Sequence, residues 1–223
     1  MTEAIAAKEL LNQKKFPGTF VSLEGIEGVG KSTQSARLRS YLEKQGKEVI
    51  LTREPGGTPL AEAIRSVVLD REDEAINAEA ELLLMFAARA VHLHNKIIPA
   101  LERGAWVLCD RFTDATIAYQ GYGRGQSLAF IQQLATTVQR GVWPDITILL
   151  DAPIELGLKR VASRGESNRF DAEKLDFFSR VQSGYLELAK QIPQRIKLID
   201  ASQSIDQVST DIMEVLTELL TSD

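Results

Sequence analysis

Short apolar, β-branched runs alternate along this chain with longer stretches whose apolar residues return at helical spacing. The five runs are Thr19–Glu24, Glu48–Thr52, Ala105–Asp110, Asp145–Leu150 and Arg195–Asp200. Strands separated by helical crossovers build parallel sheets covered on both faces. The pattern predicts an α/β fold, a three-layer sandwich with a five-stranded parallel sheet and helices on both faces. The stretch from Lys31 to Gln45 stops at Gly46, a residue able to take the left-handed conformation that ends many helices. Asn77 precedes an acidic first turn, Glu79 and Glu81, and opens a long helix to Glu102 closed by Gly104. Pro153 stands near the start of a helix running to about Ser163, and Asp171 begins another reaching about Ile192. Ser204 and Gln207 have the spacing of a capping box for the last helix. No repeat, low-complexity tract or long linker divides residues 18–223, which read as one domain behind an N-terminal extension, residues 1–17.

Composition narrows the class. With 44% hydrophobic and 26% charged residues, the chain resembles an ordinary soluble globule. A net charge of −5 argues against a general nucleic-acid binder, because such proteins carry a basic excess. The single cysteine, Cys109, permits no internal disulfide and fits a reducing cytoplasm. No apolar run approaches the ~20 residues that span a bilayer. Glu3, Lys8 and Glu9 interrupt what would otherwise be a signal-peptide core.

Candidate chemistry begins directly after the first run. Gly25-Ile26-Glu27-Gly28-Val29-Gly30-Lys31-Ser32 fits G-x-x-x-x-G-K-[ST], the loop that wraps nucleoside triphosphate phosphates. Its strand–loop–helix setting is the one this chemistry requires. Glycines let backbone N–H groups turn toward phosphate oxygens, and the helix adds its positive N-terminus. Lys31 is expected to reach the β- and γ-phosphates of ATP, and the Ser32 hydroxyl to ligate Mg²⁺.

Ligands of such sheets sit beyond the carboxyl ends of the strands. There the second run continues as Thr52-Arg53-Glu54-Pro55-Gly56-Gly57-Thr58, so Arg53 is placed to clamp a second phosphate. The third run ends in Asp110-Arg111-Phe112. Asp110 suits hydrated Mg²⁺ and Arg111 suits phosphate oxygens. Asp151 competes for the metal role but leads into Pro153 and reads as a cap. Arg160, Arg164 and Arg169 cluster around Gly165, so residues of about 160–170 form a candidate lid over ATP. His92 and His94 lie away from every motif and read as structural, as does Cys109 on a buried strand.

Taken together, these segments resemble bacterial thymidylate kinases from about Phe16 to Leu220. The resemblance rests on the phosphate loop, on Arg53-Glu54-Pro55-Gly56-Gly57 and on Phe86-Ala87-Ala88-Arg89. Asp110-Arg111-Phe112-Thr113-Asp114 and Ala118-Tyr119-Gln120-Gly121 complete it. It implies that Arg53 and Arg111 hold the phosphate of dTMP, and that Glu27 engages the sugar on its 3′-hydroxyl side. It also implies that Arg89 bonds a thymine carbonyl, that Phe86 packs on the ring, and that Thr116 and Gln120 meet the base edge. Tyr119 would crowd the sugar's 2′ carbon, and Arg164 and Arg169 would act from the lid, since the phosphate loop itself has no arginine. Two departures stand out. Phe86 precedes Arg89 by three residues where relatives often use four, which makes Met85 the alternative stacking residue. Ala115 follows Asp114 where many relatives carry serine.

The expected reaction is ATP + dTMP → ADP + dTDP, with homodimerisation implied by the resemblance alone. A monophosphate acceptor is already largely ionised at neutral pH, so it needs alignment and charge neutralisation rather than a general base. Two other readings stay open. One is a kinase of another monophosphate or of a deoxynucleoside, the latter with a hydroxyl acceptor for which Glu27 could serve as base. A nucleotide-dependent switch or assembly ATPase is disfavoured, because Asn95-Lys96 is followed by two isoleucines rather than the guanine signature.

Overall fold

The computed structural model describes residues 15–70, 75–162 and 173–220. Its five parallel strands are β1 (Thr19–Glu24), β2 (Val49–Arg53), β3 (Trp106–Asp110), β4 (Ile146–Asp151) and β5 (Ile196–Asp200), in the spatial order β2-β3-β1-β4-β5. The alternation therefore places all five strands to within one residue at each end. Strand β1 lies centrally between β3 and β4, so the chain departs from it in opposite directions on its two sides. That reversal opens a crevice at the carboxyl end of β1.

Period-two burial divides the core between the sheet faces. Val21, Leu23, Trp106 and Leu108 enter one cluster, while Phe20, Val107 and Cys109 enter another. Helix α1 (Lys31–Lys44) covers the first face with Leu38 and Leu42. The last helices on that face, α8 (Leu175–Gln191) and α9 (Ile205–Leu220), follow β4 and β5. On the second face lie Leu93, Ile97, Ala100 and Leu101, with Phe112 set edge-on to Phe20 at 5.0 Å.

Both predicted glycine stops have the same geometry. Gly46 and Gly104 take φ of +78° and +86°, and the N–H groups of each and of its successor bond back to carbonyls of the last turn. Asn77 caps α3 (Ala78–His92) by accepting from the Ala80 N–H at 2.8 Å. The long helix is not uniform: a π-helical segment, Leu93–Ile97, joins α3 to α4 (Ile98–Glu102). Only half of the expected capping box on α9 forms. Ser204 accepts from the Gln207 N–H, but the Gln207 amide turns to Asp211 at 2.8 Å, a carboxylate being the stronger acceptor.

Two helices go beyond the five runs and their crossovers. Helix α2 (Pro59–Asp70) starts behind Thr58, whose hydroxyl accepts from the Ala61 N–H. Helix α6 (Leu128–Gln139) starts behind Ser127, which accepts from the Phe130 N–H. Between β3 and α6 run the short α5 (Thr113–Thr116) and a π-helical segment, Ile117–Gly123. The crossover helix α7 (Ile154–Ala162) follows β4. Most of the N-terminal extension lies outside the described residues. Within them, Lys15 donates to the Arg140 carbonyl and Phe16 packs beside the second cluster.

Candidate active site

The phosphate loop runs from β1 into α1 with φ of +128°, +74° and +101° at Gly25, Gly28 and Gly30. Glycine is needed at two of these positions for space as well as for φ. A Cβ on Gly25 would strike the Leu150 carbonyl, and one on Gly28 would strike the backbone of Gly157 in α7. The contact is reciprocal, since a Cβ on Gly157 would come within 2.5 Å of the Glu27 carbonyl. Helix α1 has no side-chain cap and no acid in its first turn, so no carboxylate competes for its N-terminal N–H groups.

Lys31 is buried and folds back over the loop, donating to the carbonyls of Gly25 at 3.0 Å and Ile26 at 2.8 Å. Burial, reinforced by the charge of Arg111, lowers its pKa from 10.5 to about 8 against the opposing pull of Asp110, Glu27 and Glu24. A polyphosphate beside it would restore the higher value. Binding of ATP at pH 8 should therefore take up about half a proton, because a lysine titrating there is about half charged beforehand. Calorimetry in two buffers of different ionisation enthalpy measures this. The uptake should fall in Lys31→Met and fade toward pH 6.5, and a pH-independent value would contradict the assignment.

Arg111 takes φ of +70°, a conformation L-residues seldom adopt, directly after the strand end. Its backbone N–H donates to Leu23 O, while Nη1 donates to the Gly25 carbonyl at 2.9 Å and Nη2 pairs with Glu27 at 2.9 Å. The guanidinium lies 4.6 Å from the Tyr119 ring centroid, and the Tyr119 hydroxyl donates to the other Glu27 oxygen at 2.7 Å. Arg111, Glu27 and Tyr119 thus form one constellation at the loop. Burial and the Glu27 carboxylate push the Tyr119 hydroxyl well above its ordinary pKa against the opposing charge of Arg111, so it stays a neutral donor.

Beside this group the register sets Arg53 opposite Asp110 and Asp110 opposite Leu23. Arg53 is half exposed, held by Glu62 at 3.0 Å, and faces a cleft of about 580 Å³ together with Ser32, Thr52 and Asp110. The Asp110 Oδ1 is buried with no hydrogen-bond partner, an acceptor that Mg²⁺ chemistry would satisfy, and Ser32 stands exposed in the same cleft. Asp151 instead accepts from Gln182 at 2.7 Å.

The residues expected to meet the base gather on α3 and the segment after β3. Arg89 is only 2% exposed; its Nε donates to Glu54 at 2.7 Å and its Nη2 to Thr116 at 2.9 Å. The guanidinium centre lies 4.8 Å from the Phe86 ring centroid and 5.0 Å from that of Phe112, while Nη1 is buried with no partner. Gln120 donates to the buried Glu81 at 2.9 Å. Met85 belongs to the main core cluster, and Phe86 to a smaller one with Leu82, Ile131 and Ala135. Arg160 of α7 reaches the Gly28 carbonyl at 3.4 Å, whereas Arg164 and Arg169 fall outside the described residues.

Several contributors are not singled out by the sequence. Glu24, the last residue of β1, is buried and accepts from the Phe112 N–H at 2.7 Å and the Tyr185 hydroxyl at 2.8 Å. Burial and the charge of Asp114 raise its pKa to about 8, opposed by Arg111 and by those two donors. Tyr185 on α8 also accepts from Arg111 at 3.2 Å. A charged residue closing an otherwise apolar strand was the available signal. His92 corrects the expectation that it stands away from every motif. Its ring lies between Thr52 and Glu54, in contact with the Arg-Glu-Pro-Gly-Gly segment. Asp114 pairs with buried Arg195 at 2.6 and 2.8 Å, so its role is in the core.

A switch-point crevice, a glycine loop, a buried lysine beside Arg111 on one loop carbonyl, and Arg53 facing the adjoining cleft define a phosphate-loop nucleotide kinase. Comparison with known proteins narrows the class. The thymidylate kinase family profile matches residues 23–212. The thymidylate kinase of Chromohalobacter salexigens is 54% identical over 92% of this chain and 98% of its own. That of Ectopseudomonas mendocina is 53% identical over 91% and 97%. The crystal structure of thymidylate kinase from Ehrlichia chaffeensis superposes with a TM-score of 0.74 at 34% identity, covering 89% of this chain and 98% of that one. The chain belongs to the thymidylate kinase family.

Proposed function

We propose how this chain's own residues carry out the reaction of its family, the phosphorylation of dTMP to dTDP with ATP as donor. One observation carries the reading: Lys31 Nζ and Arg111 Nη1 both donate to the Gly25 carbonyl, at 3.0 and 2.9 Å. A lysine for the donor phosphates and an arginine for the acceptor phosphate stand side by side on one oxygen. Two phosphorylated substrates bound there meet end to end, and alignment of that kind supplies much of the catalysis in phosphoryl transfer.

The loop from Gly25 to Ser32 wraps the ATP phosphates, and Lys31 leaves its two carbonyl acceptors to bridge the β- and γ-groups. Ser32 and Asp110 would hold Mg²⁺, which when bound offsets negative charge on the phosphate oxygens. Arg53 and Arg111 clamp the acceptor phosphate, with Arg164 and Arg169 closing over the donor side. Glu27, held between Arg111 and Tyr119, orients the sugar, and the Tyr119 ring excludes a 2′-hydroxyl. Arg89 directs its spare Nη1 donor at a thymine carbonyl beside Thr116, Gln120 and Phe86. The enzyme works in the cytoplasm, where its single thiol stays reduced, and as a homodimer, which sedimentation checks. Among the described residues no helix is long and apolar enough to cross a membrane.

A coupled assay over nucleosides and monophosphates tests the reading. Turnover should be highest with dTMP, weak with its ribose counterpart and absent with thymidine, and Tyr119→Ala should narrow the deoxyribose preference. Phosphorylation of a nucleoside, or fast ATP hydrolysis without acceptor, would favour the competing classes.

A further inference from the structure

We infer that His92 is a positioning residue for base selection, acting through Glu54 on the guanidinium of Arg89. The inference rests on Arg89 reading the base carbonyl, as proposed above.

The geometry is a linear relay with an oriented end. Thr52 Oγ1 lies 2.7 Å from His92 Nε2, and His92 Nδ1 lies 2.9 Å from Glu54 Oε1. Glu54 Oε2 accepts from Arg89 Nε at 2.7 Å, and Thr116 accepts from Arg89 Nη2 at 2.9 Å. A carboxylate can only accept, so Nδ1 carries the proton, and in the neutral ring Nε2 then accepts from the Thr52 hydroxyl. Each oxygen of Glu54 consequently has one assigned donor. Without the imidazole, the carboxylate could rotate and take Arg89 as a two-point partner, through Nε and a terminal nitrogen. That would turn the fork and divert a donor from the base pocket.

The present arrangement instead engages Nε and Nη2 sideways, with the Phe86 and Phe112 ring centroids within 5.0 Å of the guanidinium centre, and leaves Nη1 buried without a partner. His92 is fully buried, and a Cβ on Gly57 would collide with its Nε2. The ring is therefore wedged against the loop that begins with Arg53. The phosphate-side segment and the base-side arginine share a support, so removing the ring should loosen both the direction of Nη1 and its preference for an acceptor.

The test compares kcat/KM for dTMP with that for dCMP, whose base carries an amino group where thymine presents a carbonyl. In His92→Leu the dTMP:dCMP ratio should fall on the order of fivefold, the scale of one misdirected hydrogen bond. The change should lie mainly in the dTMP KM, with kcat at saturation and the KM for ATP little altered. His92→Asn, whose amide nitrogen can stand in for Nδ1, should restore most of the ratio. If His92→Leu does not fold, Thr52→Val at the far end of the relay should lower the ratio in the same direction. Arg89→Ala provides the reference and should abolish the preference. A His92→Leu enzyme with an unchanged ratio beside a collapsed one in Arg89→Ala overturns the role of His92. An unchanged ratio in Arg89→Ala overturns the base reading itself. Equal losses for both acceptors would show a structural histidine only and would also overturn the inference.

Discussion

Replacing Lys31 with alanine is expected to lower kcat for dTMP phosphorylation by about 10²–10³-fold while the protein stays folded. Losing one preorganised electrostatic contact at developing charge costs ~3–4 kcal/mol of barrier. The side chain is buried and its pKa is depressed to about 8, so the fold bears a desolvation cost for this charge. Alanine removes that cost along with the two hydrogen bonds to loop carbonyls. The melting temperature should therefore shift little or rise. Near-normal turnover in a folded Lys31→Ala protein would remove the loop from the mechanism.

The largest loss of stability should come from a residue that touches neither substrate. Asp114 and Arg195 have side chains only 2% and 3% exposed and meet at 2.6 and 2.8 Å. Thr147 joins them and bonds in turn to Ser22 of the central strand at 2.8 Å. Asp114→Ala leaves a permanently charged guanidinium buried without its counter-ion, which typically costs ~3–5 kcal/mol. Chemical denaturation of the variant measures it. The double variant Asp114→Ala/Arg195→Met should regain much of the loss, because it removes the stranded charge as well. A double variant no more stable than Asp114→Ala would show that strain, rather than the unpaired charge, dominates.

What the sequence reveals depends on the range of the interaction. The strands were legible because the inner three, β1, β3 and β4, are buried on both faces and mostly apolar, and the edge strands keep β-branched runs between the helical stretches. The phosphate loop was legible because the fixed positions among its eight consecutive residues, Gly25, Gly30, Lys31 and Ser32, each carry a steric or chemical requirement. Helix α2 was obscured by its entry. A Pro-Gly-Gly turn reads as loop, and the capping Thr58 is visible only once the helix behind it is known. The partners of Arg89 were not legible for another reason. Glu54 and Thr116 lie 35 and 27 positions away from it, just after β2 and in α5, and only the fold brings them to α3. Asp114 illustrates the same limit. It sits inside a motif that reads as substrate-facing, yet its partner lies 81 residues downstream.

The meeting of Gly28 with Gly157 has a genetic consequence. In most tight packings a bulky replacement on one side can be relieved by trimming the other. Here each added carbon would meet main chain rather than side chain, and neither position has anything smaller to offer. A lesion at either glycine therefore has no reciprocal suppressor. Revertants must restore glycine or move the first turn of α7 bodily, so this crossing behaves as a fixed hinge pin between the nucleotide loop and the arm carrying Arg160.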